Sequence, residues 1–457
     1  MLTNLDLRNF KSWEATGDVR LAPITGLFGT NSSGKTSLLQ ALLLLKQTSE
    51  SADRGLPLQF GDPKSPANLG DFRSVIYRHA NEAELGLSLS WTQSASFVAK
   101  DPDDRGKPLV ESRDLSVTTK VRDESNGSQT VRLVVPEFRY GVGAAGFGMR
   151  RRPKERAEYD LFAESIAFKF LRYRGRQWPL PPPTKCYGFP DQVRAYFQNA
   201  GFLSDLELAF EEQLGRVYYL GPLRAYPERN YTWSGAQPSD MGRAGEQAIH
   251  ALLSSRDRGD LISQGKGIRR VTLEQYVAEW LKRLGLIAEF RVEAVAGGSQ
   301  IFQVKVRKTP GGTESLITDV GFGVSQILPV IVLCFYVPEG STVILEQPEI
   351  HLHPAVQANL ADVLIDAWDR RGVQILVESH SEHLLRRLQR RVAERKLRNN
   401  DVALYFCEAT DQGSKLTPLD LDIFGNIANW PADFFGDQFG ELAATQKARL
   451  AAKASES

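Results

Sequence analysis

The chain has 457 residues, 42% of them apolar and 24% charged, enough apolar content for a sizeable core and a composition that excludes intrinsic disorder. Its 56 basic and 55 acidic residues leave a net charge of +1, which argues against a polybasic, histone-like protein but leaves room for a local basic patch. Cys186, Cys334 and Cys407 lie far apart with no CxxC pair, so neither a disulfide framework nor a zinc–thiolate site is expected, and a reducing cytoplasm is the simplest setting.

In chain order, Leu2, Leu5 and Leu7 alternate into Asn9-Phe10-Lys11-Ser12, which predicts an opening strand and turn. Ile24–Phe28 is short and apolar, as a buried parallel strand is. Gly29–Thr36 is rich in glycine and serine, and Ser37–Gln47 is rich in Leu, Ala and Gln, so strand, glycine loop and helix follow one another. Residues 83–215 read as an insertion. Glu84–Trp91, Leu115–Val121 and Thr130–Phe138 alternate like strands, Gly141–Arg152 is a glycine-rich, flexible stretch ending in three arginines, Pro179–Pro183 is a proline run, and Asp191–Leu214 reads as helix. No heptads are sustained, so no long coiled coil is expected. Val217–Leu220, Val343–Leu345, Gln374–Val377 and Val402–Phe406 read as further buried strands with helices between them. The expected fold class is α/β with a mostly parallel sheet plus a β-rich insertion. The expected boundaries are residues 1–82 and 216–410 for the two halves of the main domain, 83–215 for the insertion and 411–457 for a C-terminal tail. The opening residues show no signal-peptide pattern, and the longest apolar runs, Ala41–Leu45 and Ile327–Val337, are too short to span a bilayer, so a cytoplasmic protein without membrane contact is expected.

Gly29-Thr30-Asn31-Ser32-Ser33-Gly34-Lys35-Thr36 fits GxxxxGK[ST], the loop whose inward N–H groups cradle phosphate oxygens at a helix N-terminus. Gly29, Asn31, Ser32, Ser33, Gly34 and Ser37 are candidate nucleotide-binding residues; Lys35 would reach the β- and γ-phosphates, and Thr36 would hold Mg²⁺. Val343-Ile344-Leu345-Glu346-Gln347-Pro348-Glu349 is an apolar strand ending in acid, as a Walker B site requires, and makes Glu346 the second Mg²⁺ candidate. Glu378-Ser379-His380-Ser381 follows the strand Gln374–Val377 and places a polar residue near the γ-phosphate. Gly321-Phe322-Gly323-Val324-Ser325-Gln326 lies ahead of Glu346; its glycines permit close backbone approach, and Ser325 and Gln326 can donate to phosphate.

This order of motifs resembles the ABC-type ATPases, the class that includes RecF, SMC proteins and the overcoming-lysogenisation-defect family. No NKxD motif suggests a GTPase. The resemblance covers roughly residues 1–80 and 216–410. It implies ATP and Mg²⁺ as cofactors, a homodimer or larger assembly, and a signature, Gly321, Gly323, Ser325 and Gln326, that completes the ATP site of another copy. It also implies a catalytic role for His380 and, given the short chain after it, control of a separate effector protein such as a nuclease or toxin in anti-phage defence. A RecF-like DNA clamp is the alternative. The chain departs from the family at Walker B: where Asp-Glu-Pro is usual it has Glu346, Gln347 and Pro348, and an amide accepts no proton at neutral pH. Glu349 is then the candidate base, or hydrolysis is slow and ATP holds a scaffold together. The signature lacks the usual Leu-Ser-Gly-Gly, His353 stands where a D-loop aspartate is usual, and Gln59 is the candidate for the Q-loop.

Four of the six histidines pair as His351 with His353 and His380 with His383, a pattern that can bind metal, although the ATPase reading already uses His380. Asp420-Leu421-Asp422 reads as an acidic turn. Leu384, Leu385, Leu388 and Val392 form one apolar face of a basic helix whose Arg386, Arg387, Arg390 and Arg391 are candidates for DNA contact or simply a solvated face. Arg150–Arg152 form a second basic candidate. Arg224 after Gly221-Pro222 faces ATP, an interface or an ion-pair partner. Trp430, Phe434 and Phe435 are expected to pack a tail onto the domain.

Overall fold

The computed structural model describes residues 1–80, 83–100, 107–125, 131–153, 158–176, 178–265, 267–431 and 444–449. Two large sheets dominate it. The first is antiparallel and has eight strands, with Leu2–Phe10 paired to Trp13–Ala15 and Val19–Arg20 and continuing through Leu85–Lys100, Pro108–Asp123, Leu133–Val142, Ala145–Arg151 and Tyr159–Glu164. The strands read as an insertion are therefore hydrogen-bonded directly to the first strand of the chain, with Leu5 opposite Leu89. Their period-two burial puts Leu85, Leu87, Leu89 and Trp91 in the core.

The glycine-rich stretch after residue 140 is a hairpin rather than a flexible loop. Gly148 permits it: a Cβ there would lie 2.1 Å from the Phe138 carbonyl oxygen. Arg150 and Arg151 are consequently strand residues, Arg152 directly follows them, and all three have acidic partners. Arg150 pairs with Glu137 at 3.0 Å and Glu164 at 3.2 Å, Arg151 with Glu124, and Arg152 with Asp160 at 2.5 Å. The single helix expected over Asp191–Leu214 is two, Gln192–Tyr196 and Leu203–Gly215. Buried Asn199 interrupts it by accepting from the Leu171 N–H at 2.9 Å, a tertiary bond that competes with helix propagation.

The second sheet has six strands in the order Val217–Leu220, Thr342–Glu346, Gln374–Glu378, Ile24–Gly29, Val402–Thr410 and Gly413–Pro418. All pairings are parallel except the last. Both faces are covered, which explains the uninterrupted apolar runs. Ile344, Leu376, Ala403 and Tyr405 face a core shared with the helix Lys35–Glu50 and the antiparallel sheet. Val343, Leu345, Ile375 and Val377 face a second core under the helices Ala248–Arg258, Leu273–Arg283, Phe322–Tyr336, Pro354–Arg371 and Glu382–Ala393. Among the described residues no helix is long and apolar enough to cross a membrane, and all three cysteines are buried and unbridged.

Candidate nucleotide site

The glycine loop leaves the C-terminal tip of Ile24–Gly29, where neighbouring parallel strands end together. Gly29 has φ +136°, and a Cβ would lie 2.0 Å from the Cys407 carbonyl oxygen on the adjacent strand. Gly34, at φ +88°, is closed in by Ser12 and Ser414, and Trp13 Nε1 donates to its carbonyl at 3.1 Å. Ser32 also takes a left-handed conformation, φ 58°. Ser33 Oγ donates to the Thr30 carbonyl at 2.8 Å, drawing the loop into an arc. The helix Lys35–Glu50 starts with no side-chain cap, so its first N–H groups remain for an anion. Lys35 Nζ lies along the loop and donates to Thr30 O at 2.6 Å and Gly29 O at 3.2 Å. Burial pulls its pKa below the ordinary lysine value, while Glu378 opposes the shift.

These residues line a cavity of about 720 Å³. Asn31, Ser32, Ser33, Gly34, Lys35, Thr36 and Ser37 form one wall; Lys11, Ser12 and Gln40 extend it, and Gln347, Glu378 and His380 stand opposite. The cavity thus brings together the loop and the tips of two neighbouring strands. Glu346 and Glu378 are direct register partners there. Thr36 Oγ1 donates to Glu378 Oε2 at 2.8 Å. Glu346 sits deeper, accepting from the Tyr219 hydroxyl at 3.0 Å, and its pKa is pushed up to about 7, by burial first and then by Glu378. Burial also raises Glu378, against Thr36, Lys35 and Gln347. Thr36 and Glu346, the two Mg²⁺ candidates, offer oxygen donors only, which fits Mg²⁺.

Glu349 does not line the cavity. It is buried behind it, and Oε1 accepts from the His380 backbone N–H at 2.7 Å, which fixes the turn carrying His380. His380 itself is exposed, and burial of the ring edge and Lys35 lower its pKa. Arg224 is buried beyond the Walker B strand; burial brings its pKa down to about 10, opposed by Tyr219, Glu346 and Glu349. It therefore balances the carboxylates from behind rather than facing the cavity. Gln59 is bound to the far end of the loop helix, accepting from Gln47 Nε2 at 2.6 Å, and is not in the cavity wall.

The signature residues Gly321, Gly323, Ser325 and Gln326 lie apart from this cavity, at the start of the helix Phe322–Tyr336. Gly321 caps that helix and is exposed. Ser325 is buried and its hydroxyl donates to the Phe322 carbonyl at 2.9 Å, so it is turned into the helix rather than outward. Phe322 is the exposed side chain, 57% accessible, with Tyr226 edge-on at 5.9 Å.

The basic helix divides. Arg387 and Arg391 clamp Asp362 of the helix Pro354–Arg371, at 2.8 Å and 2.5 Å, and are structural. Arg386 and Arg390 are largely exposed and pair along their own helix with Glu382 and Glu394. Arg386 also lies over the Trp430 ring at 4.8 Å; Phe434 and Phe435 fall outside the described residues. His353 caps the helix Pro354–Arg371, and among the described residues no group of three or more histidine, cysteine, aspartate or glutamate side chains is placed to hold a metal ion, the paired histidines included. Asp422 accepts from the N–H groups of Phe424 and Asn426, each at 2.8 Å, as an ordinary turn does.

Lys11, Ser12, Gln40 and Glu378 are cavity residues that the motifs did not assign. Lys11 and Ser12 stand in the turn after the first strand, and Gln40 is one helical turn past Thr36; Lys11 Nζ donates to Gln40 Oε1. The signal for Glu378 was present, an acid at a buried strand tip two residues before His380.

Residues 256–386 match the family described as "AAA domain, putative AbiEii toxin, Type IV TA system". Residues 397–444 match a protein family of unknown function, DUF3696. No curated protein matches the chain. Among solved structures it is similar to an SMC head domain from Thermotoga maritima, at 10% identity and TM-score 0.41, covering 92% of this chain and 99% of that one. It is also similar to an Smc head domain with an extended coiled coil bound to the C-terminal domain of ScpA, derived from Pyrococcus furiosus. There the identity is 11% and the TM-score 0.44, covering 92% and 96% of the two chains.

Proposed function

We propose that this chain, an ABC-type ATPase of the superfamily that includes RecF and SMC proteins, binds Mg²⁺ and ATP in the cavity beside Asn31–Ser37 and hydrolyses the nucleotide. The observation that carries the reading is the meeting of an uncapped helix N-terminus, a buried lysine and the strand-tip carboxylate of Glu378 at one cavity, with its register partner Glu346 on the strand beside it. On binding, Lys35 exchanges the Thr30 and Gly29 carbonyls for phosphate oxygens, which are stronger acceptors. Thr36 and Glu346 hold Mg²⁺, which neutralises charge building on the β- and γ-phosphates. Two or more copies close around the nucleotide, with the helix start at Gly321–Gln326 of one copy set against the phosphates of another through its N–H groups. This closing and opening controls a separate effector protein, and the toxin–antitoxin label of the matched AAA domain supports a role in anti-phage defence. The exposed Arg386 and Arg390 keep a DNA-clamp reading in play.

The test is steady-state ATP turnover of the purified chain, with and without duplex DNA, alongside its mass in solution with and without ATP. Wild type should turn over well above Lys35→Ala and gain mass with ATP. Turnover equal to Lys35→Ala would end the ATPase reading. Strong stimulation by DNA that disappears in Arg386→Ala/Arg390→Ala would favour the clamp.

A further inference from the structure

ATP hydrolysis needs an acceptor for the attacking water's proton, and Gln347 supplies none. Three observations locate a replacement. The pairing of Thr342–Glu346 with Gln374–Glu378 puts the Glu378 carboxylate one strand away from the tip where Gln347 begins its turn. Gln347 folds back over that tip: its φ is +43°, its N–H donates to the Glu378 carbonyl at 2.8 Å, and it lines the same cavity wall as Glu378. Glu378 also lines the cavity beside Thr36, whereas Glu349, the other acid nearby, is turned away to hold the His380 N–H.

We infer that Glu378 is the catalytic carboxylate of this ATPase, displaced by one strand from the position that Gln347 occupies. The inference rests on the ATPase reading above. In the step, the water oxygen bonds to the γ-phosphorus and the bond from that phosphorus to the β,γ-bridging oxygen breaks, its electron pair leaving with ADP. The water proton passes to Glu378 and from there to solvent.

The experiment compares the full-length wild type, Glu378→Gln, Glu349→Gln and the exchange variant Gln347→Glu/Glu378→Gln, with Lys35→Ala as the blank. Melting temperature, binding of ATP with Mg²⁺ and turnover at saturating ATP are measured for each. Glu378→Gln should melt and bind ATP as wild type does while turnover falls about 100-fold or more, the scale of a lost general base. The exchange variant should recover at least about 10-fold of that loss, because it restores an acid to the same space. Glu349→Gln should reduce turnover less than Glu378→Gln. Turnover of Glu378→Gln within about 3-fold of wild type overturns the inference, as does a loss of Mg²⁺-dependent ATP binding in that variant, which would make Glu378 a metal-holding group. Wild-type turnover indistinguishable from Lys35→Ala overturns the ATPase reading together with this one.

Discussion

Glu207 shows how strongly burial sets the behaviour of single residues in this chain. It stands on the helix Leu203–Gly215, accepts from the Phe189 backbone N–H, and has Glu211 and Asp191 nearby. Its pKa is pushed up to about 7, by burial first, with the Phe189 N–H opposing. A carboxyl whose folded pKa lies above its unfolded value binds more protons when folded. Its contribution to stability is therefore full below the unfolded pKa of about 4.5 and is lost as pH rises through about 7. The loss is on the order of 3 kcal/mol at most. Glu207→Gln, which still accepts from Phe189, should flatten that part of the stability-against-pH curve in urea unfolding; a variant curve parallel to wild type would remove Glu207 as the cause. Gly29 illustrates the other residue-scale constraint. With φ +136° and the Cys407 carbonyl in contact range, no side chain fits there, so the motif's first glycine is required by strand packing as well as by phosphate approach.

At the scale of elements, the helices Pro354–Arg371 and Glu382–Ala393 are joined by apolar packing and by Asp362, which accepts from both Arg387 and Arg391. Those arginine side chains are only 18% and 16% exposed, so removing their shared acceptor leaves the Arg387 charge poorly solvated and Arg391 with Glu394 alone. Asp362→Ala should cost about 1.5–3 kcal/mol in urea denaturation, the range for hydrogen bonds to charged groups. Arg390→Ala, at an exposed i,i+4 pair, should stay within about 0.5 kcal/mol. If the two variants unfold alike, the clamp is not structural. The same division decides which arginines remain for DNA: Arg386 and Arg390 can turn to a phosphate backbone at small cost, whereas Arg387 and Arg391 cannot.

At the scale of the whole molecule, the cavity and the helix start at Gly321 are separate, so a phosphate held by Lys35 in one copy is not reached by Gly321–Gln326 of the same copy. Phe322 and Tyr226, at 57% and 78% exposure and edge-on to each other, put aromatic surface at that helix start. If copies close around ATP there, Phe322→Ser should abolish the ATP-dependent gain in mass seen by light scattering. ATP binding by the single copy and its melting temperature should be retained. Unchanged assembly in Phe322→Ser would place the contact elsewhere.

The sequence by itself determined the features that depend on neighbouring residues in the chain. Gly29–Thr36 between a buried strand and a helix, the apolar strands at 343–345 and 374–377 with an acid at each tip, and the order of the motifs were all legible, because loop curvature and strand burial are written in local residue types. Only the tertiary structure decided what depends on residues far apart. Glu349 and Glu378 are both acids just past apolar strands; parallel register and the left-handed turn at Gln347 put one into the cavity and the other behind it. The strands after residue 83 join the first strand, and the arginine runs find carboxylates, through pairings that no local pattern encodes. Charge and burial at a site are sums over elements the fold assembles, so side-chain roles at the strand tips were settled only once those elements were packed together.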